Sequence, residues 1–210
     1  MKMKTNSNSY TIIYSAVIVV IVAFLLAFVS KALEPMQDAN VKLDEKKQIL
    51  NSLNIRNLSN EETEATYAKV VKSRENVENG TIFTCNVNGK TKYVFTVKGM
   101  GLWGPINGFI AVNDDKNTVY RVYFNHEGET AGLGAEIKDN QKWQEKFQGK
   151  KLFKNGDTSA IVLSVKKKVE DPASQVDAVT GATLTSNGVA AMLSDKAKGL
   201  GQYLDFLSKK

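Results

Sequence analysis

The sequence predicts an α+β fold, a mostly antiparallel sheet with packed helices, carried behind a single N-terminal transmembrane helix. Three observations predict it. The run Tyr10 to Val29 holds twenty residues without a charge, enough at helical rise to span about 30 Å, the thickness of a bilayer core. Two β-like stretches, TIFTCNV and KTKYVFTV, flank Asn88-Gly89, the commonest two-residue hairpin turn. Near the C-terminus, Asn187 to Leu207 reads as a helix that points Val189, Leu193, Leu200 and Leu204 inward.

Taken in order, residues 1–9 are expected on the cytoplasmic side, because Lys2 and Lys4 precede the apolar run while Lys31 is soon followed by Glu34 and Asp38. The run at 10–29 exceeds the roughly 7–15 residues of a signal-peptide core, and Ser30-Lys31-Ala32 is a poor cleavage site. An uncleaved single-pass anchor in the inner membrane, with a periplasmic C-terminal domain, is therefore expected. A lipoprotein is excluded because the sole cysteine lies far from the segment's end. Residues 30–80 read as a helical connector, with Leu43, Leu50 and Leu53 at helical spacing and Asn60-Glu61-Glu62 as an acidic first turn. Residues 81–210 form the extracytoplasmic domain. Beyond the hairpin it offers strands at Ile106 to Val112, Thr118 to Phe124 and Ala160 to Val165, a turn at Asp114 to Asn117 and a helix at Asn140 to Phe147.

Composition narrows function mainly by exclusion. A hydrophobic fraction of 42% with 24% charged residues excludes wholesale disorder. The net charge of +6 does not indicate nucleic acid, since 28 Lys+Arg are interspersed with 22 Asp+Glu. Only Arg56, Arg74 and Arg121 are arginines, too few for bidentate phosphate or base reading. Lys166-Lys167-Lys168 reads as a solvated edge that blocks strand pairing. With one cysteine, Cys85, and one histidine, His126, the chain alone builds no zinc finger, Cys-ligated cluster or Cys-x-x-Cys pair. Cys85 reads as a small buried hydrophobe and His126, beside Glu127, as a surface loop residue. Redox chemistry here needs a borrowed cofactor.

The stretch from Asp177 to Asn187 packs Thr180, Thr183, Thr185 and Ser186 with Gly181 just ahead of an apolar-periodic helix. Read from the residues alone it is first a simple helix N-cap; if the helix begins near Thr183 to Asn187, its free N–H groups and positive end also favour a phosphate there. Glu129 to Gly134 reads as a turn whose glycines, Gly132 and Gly134, let backbone approach a flat ring. Trp103, between glycines, packs into a core or stacks on such a ring. Glu129 is placed to orient a group near Thr130.

The pattern Asp177-x-x-Thr180-Gly181-Ala182-Thr183 resembles the flavinylation motif Asp-x-x-(Ser/Thr)-Gly-Ala-Thr. Glu129-Thr130-Ala131-Gly132-Leu133-Gly134 is similar to the Glu-Thr-Pro-Gly-Leu-Gly of the same FMN-binding domain family, and Gly101-Leu102-Trp103-Gly104-Pro105 completes the set. In this order, behind one anchor, the three resemble the NqrC family, a component of the sodium-translocating NADH:quinone oxidoreductases, over nearly the whole chain. Ala178, Thr180 and Ala131 depart from a frequent glycine, serine and proline, and none of these removes the acceptor hydroxyl.

The resemblance implies one FMN joined through its phosphate to Thr183 by a flavin transferase that reads Asp177. It implies flavin contacts from Thr180, Gly181, Ala182, Leu184, Glu129, Thr130, Gly132, Leu133 and Trp103. It also implies a one-electron relay inside a membrane complex of six subunits, coupling NADH oxidation by quinone to sodium export, with no activity of the chain alone. Two other readings stand beside it: the equivalent anchored, flavin-bearing member of the related Rnf complex, and a non-redox anchored module in which the Thr-rich stretch is only a cap.

Overall fold

A computed structural model describes residues 8–209. Lys2 and Lys4, on which the expected orientation rests, lie outside the described residues. The chain divides into two compact units, Met1–Asp44 and Glu45–Lys210.

The described residues of the first unit, from Asn8 on, are helix. α1 runs over Asn8–Ser52, so the apolar run continues past Pro35 as helix rather than stopping at the expected end of the span. It is long and apolar enough to cross a membrane, and none of its most apolar window is buried.

The second unit begins with the last turns of α1, which stop where Asn54 takes φ 63° and Ile55 N–H returns to Leu50 C=O at 2.9 Å. This is the Schellman pattern, with Ile55 and Leu50 as its apolar partners. α2 (Asn60–Val70) starts with a capping box in which Ser59 and Glu62 exchange side chain-to-backbone bonds. A five-stranded antiparallel meander follows, in chain order: β1 (Val71–Val77), β2 (Gly80–Val87), β3 (Lys90–Met100), β4 (Pro105–Asn113) and β5 (Val119–His126). The Asn88-Gly89 turn forms as expected, both residues at positive φ, the twist that suits a two-residue hairpin.

Alternation along these strands sends side chains to two cores. Ile82, Phe95, Ile110 and Phe124 face one, with Trp143, Val189 and Leu193 from the helices and Phe147 from the turn after α4. Phe83, Val94, Phe109 and Tyr123 face the other, covered by Ile49, Leu50, Leu53 and Val70.

Three details differ from the sequence reading. Residues 30–80, expected as a connector, contain β1, and the compact unit starts at Glu45 rather than at 81. β1 has five of its seven residues exposed, so its edge position leaves no apolar alternation to read. The Ala160 to Val165 strand shrinks to β6 (Ser164–Lys166), which pairs in parallel with β7 (Gln175–Asp177), unforeseen at three residues. The helix read over Asn187 to Leu207 is α5 (Thr183–Ser194), a 3₁₀ turn (Leu200–Tyr203) and α6 (Leu204–Ser208). The break lies at Asp195 to Gly199, where Asp195 Oδ1 accepts the N–H groups of Ala197 and Lys198. A Cβ on Gly199 would come 1.8 Å from Met192 O. Two short helices, α3 (Glu136–Asp139) and α4 (Gln141–Glu145), lie against β5, α4 within the expected Asn140 to Phe147.

Candidate functional site

The three glycine-bearing motifs meet in one groove of about 350 Å³, within the ~300–1,000 Å³ usual for small-molecule and cofactor sites. The first wall is the tip of the β3–β4 connection. Gly101 N–H bonds Gly104 C=O at 2.9 Å, which turns Leu102 and Trp103 outward. Trp103 is 69% exposed, so it is not the core residue that an aromatic between strands often is. The second wall is the loop from Glu129 to Gly134, folded back by bonds from Leu133 and Ala135 N–H to Thr130 C=O, each 3.1 Å. The floor is the start of α5.

That start decides between the readings of the Thr-rich stretch. The N-cap of α5 is Ala182, which makes no side-chain cap bond, and Thr183 is the first helical residue. None of the four hydroxyls caps this helix, contrary to the simple-cap reading. The N–H groups of Thr183, Leu184 and Thr185 lie in the first turn, where no intrahelical acceptor exists. The hydroxyls themselves separate by burial. Thr185 and Ser186 are each 1% exposed. Thr185 donates to Glu129 Oε2 in a short bond of 2.5 Å, and Ser186 Oγ accepts Val179 N–H at 3.0 Å. Thr180 and Thr183 are exposed, and of these two only Thr183 lines the groove.

Glu129 links the walls. It is buried, its Oε1 accepts Trp103 N–H at 2.9 Å, and its Oε2 takes the Thr185 hydroxyl. Burial pushes its carboxyl up, but the Thr185 hydroxyl and the N–H groups of Trp103, Leu102 and Gly104 outweigh that and leave it below the ordinary range. Its partner is therefore Thr185 and the Trp103 loop, where the sequence had placed it near Thr130. The same carboxylate explains two glycines. A Cβ on Gly101 would lie 2.4 Å from Oε1, and one on Gly134 would lie 2.2 Å from Oε2. Gly134 thus makes room for Glu129 and Thr185, a different cause from the expected approach to a ring. Gly181 takes φ +76° beside Leu133, a backbone state suited to glycine.

Leu184, Ala182 and Leu133 line the groove with Leu102 and Trp103, while Gly132, Thr180 and Asp177 do not. Asp177 lies half exposed and pairs with Lys146 at 2.7 Å. His126 ends β5, and its Nδ1 accepts Glu129 N–H at 3.2 Å. Sequence reasoning missed two residues here. Thr185 looked like its neighbouring hydroxyls, and Gly188 gave no signal, although a Cβ there would sit 2.2 Å from Met100 O where α5 crosses the end of β3.

Known proteins match this arrangement. A family model described as an FMN-binding domain matches residues 101–198, which hold all three motifs. NqrC of the Na(+)-translocating NADH-quinone reductase from Haemophilus ducreyi is 31% identical across 90% of this chain and 89% of its own length. A crystal structure of NqrC from Parabacteroides distasonis superposes with a TM-score of 0.76 at 35% identity, over 85% of this chain and 98% of that one. The structure of Shewanella oneidensis NqrC, 24% identical, shares the fold with a TM-score of 0.63 over 81% of this chain and all of that one.

Proposed function

Because the chain belongs to the NqrC family of the Na(+)-translocating NADH-quinone reductases, we propose that it carries one FMN, esterified through phosphate to Thr183, as an electron-carrying member of such a reductase. One observation carries the attachment site: of the two exposed threonines lining the groove, Thr130 and Thr183, it is Thr183 that sits at the uncapped start of α5. The residues fit the group. A phosphate on Thr183 meets the free N–H groups and positive end of a helix of 12 residues. Leu102, Trp103, Leu133 and Leu184, each more than 40% exposed, offer a flat aromatic ring an apolar bed and exclude water from it. When bound, FMN supplies electron exchange in one- or two-electron steps. The chain's part is to fix the ring's position: Glu129 holds the Trp103 loop against α5, and Gly181 leaves the flavin transferase a clear approach to Thr183.

The domain Glu45–Lys210 is then periplasmic, tethered by α1 in the inner membrane, and works with the other subunits, expected to be six in all, to couple NADH oxidation to sodium export. The relatives' names favour this over the equivalent member of an Rnf complex, and the missing cap bond at Ala182 counts against the non-redox module.

Co-expressed with a flavin transferase, the protein gains the mass of one FMN less one water, on the peptide containing Thr183. Thr183→Ala loses in-gel flavin fluorescence but keeps its stability within about 0.5 kcal/mol, since this side chain caps nothing. Thr180→Ala retains the flavin. Covalent flavin on Thr183→Ala moves the site elsewhere, and a parent that never gains flavin overturns the function.

A further inference from the structure

A second cavity, of about 250 Å³, lies among the end of α1, the loop 55–58 and α4, and shares no lining residue with the flavin groove. We propose that it binds a phosphate-type oxyanion. Its lining carries two cations, Lys47 and Arg56, the side chains of Asn51, Asn57 and Gln141, and no carboxylate. Arg56 is the group in need of a partner. Its Nε is sealed from solvent without a hydrogen-bond acceptor. Its Nη2 donates at 3.0 Å to Gln144 Oε1, a neutral oxygen, and its guanidinium lies 6.0 Å from the Tyr123 ring centroid. A buried donor on a charged group is costly when unpaired.

No carboxylate already fills this need. Glu145 is near enough to be felt by Arg56, but its Oε1 takes Gln141 Nε2 at 3.0 Å and lies 3.8 Å from Arg121. Lys47 bonds Asn60 Oδ1 at 2.7 Å, another neutral acceptor. Two cations with neutral hydrogen-bond partners, lining a cavity together with Asn51, Asn57 and Gln141 and no carboxylate, make a site complementary to a small anion with several acceptor oxygens. Water in the cavity brings no charge to offset the pair.

The ligand chemistry is shared by free phosphate and by the phosphate of an acidic lipid headgroup, and the test separates them. Full-length protein in phosphatidylcholine nanodiscs is titrated with inorganic phosphate at constant ionic strength, reading thermal midpoint and ³¹P line broadening. In parallel, in buffer without inorganic phosphate, discs containing phosphatidylglycerol are compared with phosphatidylcholine discs. Saturable stabilisation by phosphate identifies a soluble oxyanion, and stabilisation by phosphatidylglycerol alone identifies the headgroup. In either case Arg56→Gln weakens the response by about tenfold, the scale of one charge-assisted bond, while Lys46→Gln, outside the cavity, leaves it unchanged. Lys47→Gln, which removes a charge without touching the core, gives the same reading if Arg56→Gln folds poorly. No saturable response to either source, or a response that survives both substitutions, leaves water alone in the cavity and overturns the proposal.

Discussion

A carboxylate shut away from water is stable only when hydrogen bonds replace its hydration, and Glu129 meets that condition with Trp103 N–H from the β3–β4 connection and the Thr185 hydroxyl from the first turn of α5. Its folded pKa is lowered from 4.5 by those bonds. The stability it adds is therefore complete above about pH 4.5 and is lost as pH falls through the folded value. Glu129→Gln turns one acceptor oxygen into a donor that faces a hydroxyl or an N–H. At pH 7 it costs about 1.5–3 kcal/mol, the range for hydrogen bonds to a charged group. Thermal melts from pH 7 to pH 3 should show the gap between parent and variant closing below pH 4.5. A gap that stays constant to pH 3 contradicts the role. The motif made Glu129 and Thr183 legible in the sequence, because both residue types are fixed by what they bind. Which hydroxyl Glu129 holds was not legible, since Thr180, Thr183, Thr185 and Ser186 differ only in burial, which the helix start at Ala182 decides.

At the scale of elements, the hairpin at Asn88-Gly89 and the strands β4 and β5 could be read because turn chemistry agrees with short apolar runs that bury both faces of the strands. β1 could not, because Val71–Val77 is a polar edge paired to β2, with only its end valines packed against the cores. The end of α1 reads in the sequence as part of a helical connector, yet Ile49, Leu50 and Leu53 are at most 1% exposed in the core beneath the sheet. Amphipathic spacing shows that a helix buries one face but not what it buries it against. The consequence is measurable by truncation. A chain starting at Glu45 keeps those residues, α2 and β1, and folds to a soluble, cooperatively melting domain. A chain starting at residue 81 uncovers Phe83, Val94 and Phe109 and exposes the β2 edge, so it aggregates. Equal solubility and melting of the two fragments would show that the end of α1 and β1 are not needed to close this core.

For the whole molecule, the two units answer to different solvents. In Glu45–Lys210 large apolar side chains are mostly buried, and the exposed ones include the groove residues Leu102, Trp103, Leu133 and Leu184. In the first unit Ile13, Val19, Phe24 and Phe28 are all more than 60% exposed. At about 1.5–3 kcal/mol for each such side chain left in water, that surface is costly in water and suits the apolar interior of a bilayer. Just beyond the apolar run, the charge of Lys31 is offset by its ion pair with Glu34. Lys2 and Lys4 precede the run in the sequence with no acidic residue among the first nine, which favours a cytoplasmic N-terminus and a C-terminal domain on the opposite side. Protease added to intact spheroplasts then digests Glu45–Lys210 and leaves a short membrane-bound fragment containing α1's apolar run. Digestion that requires lysis reverses the orientation, and a domain released into the medium without protease means that the helix is cleaved rather than retained.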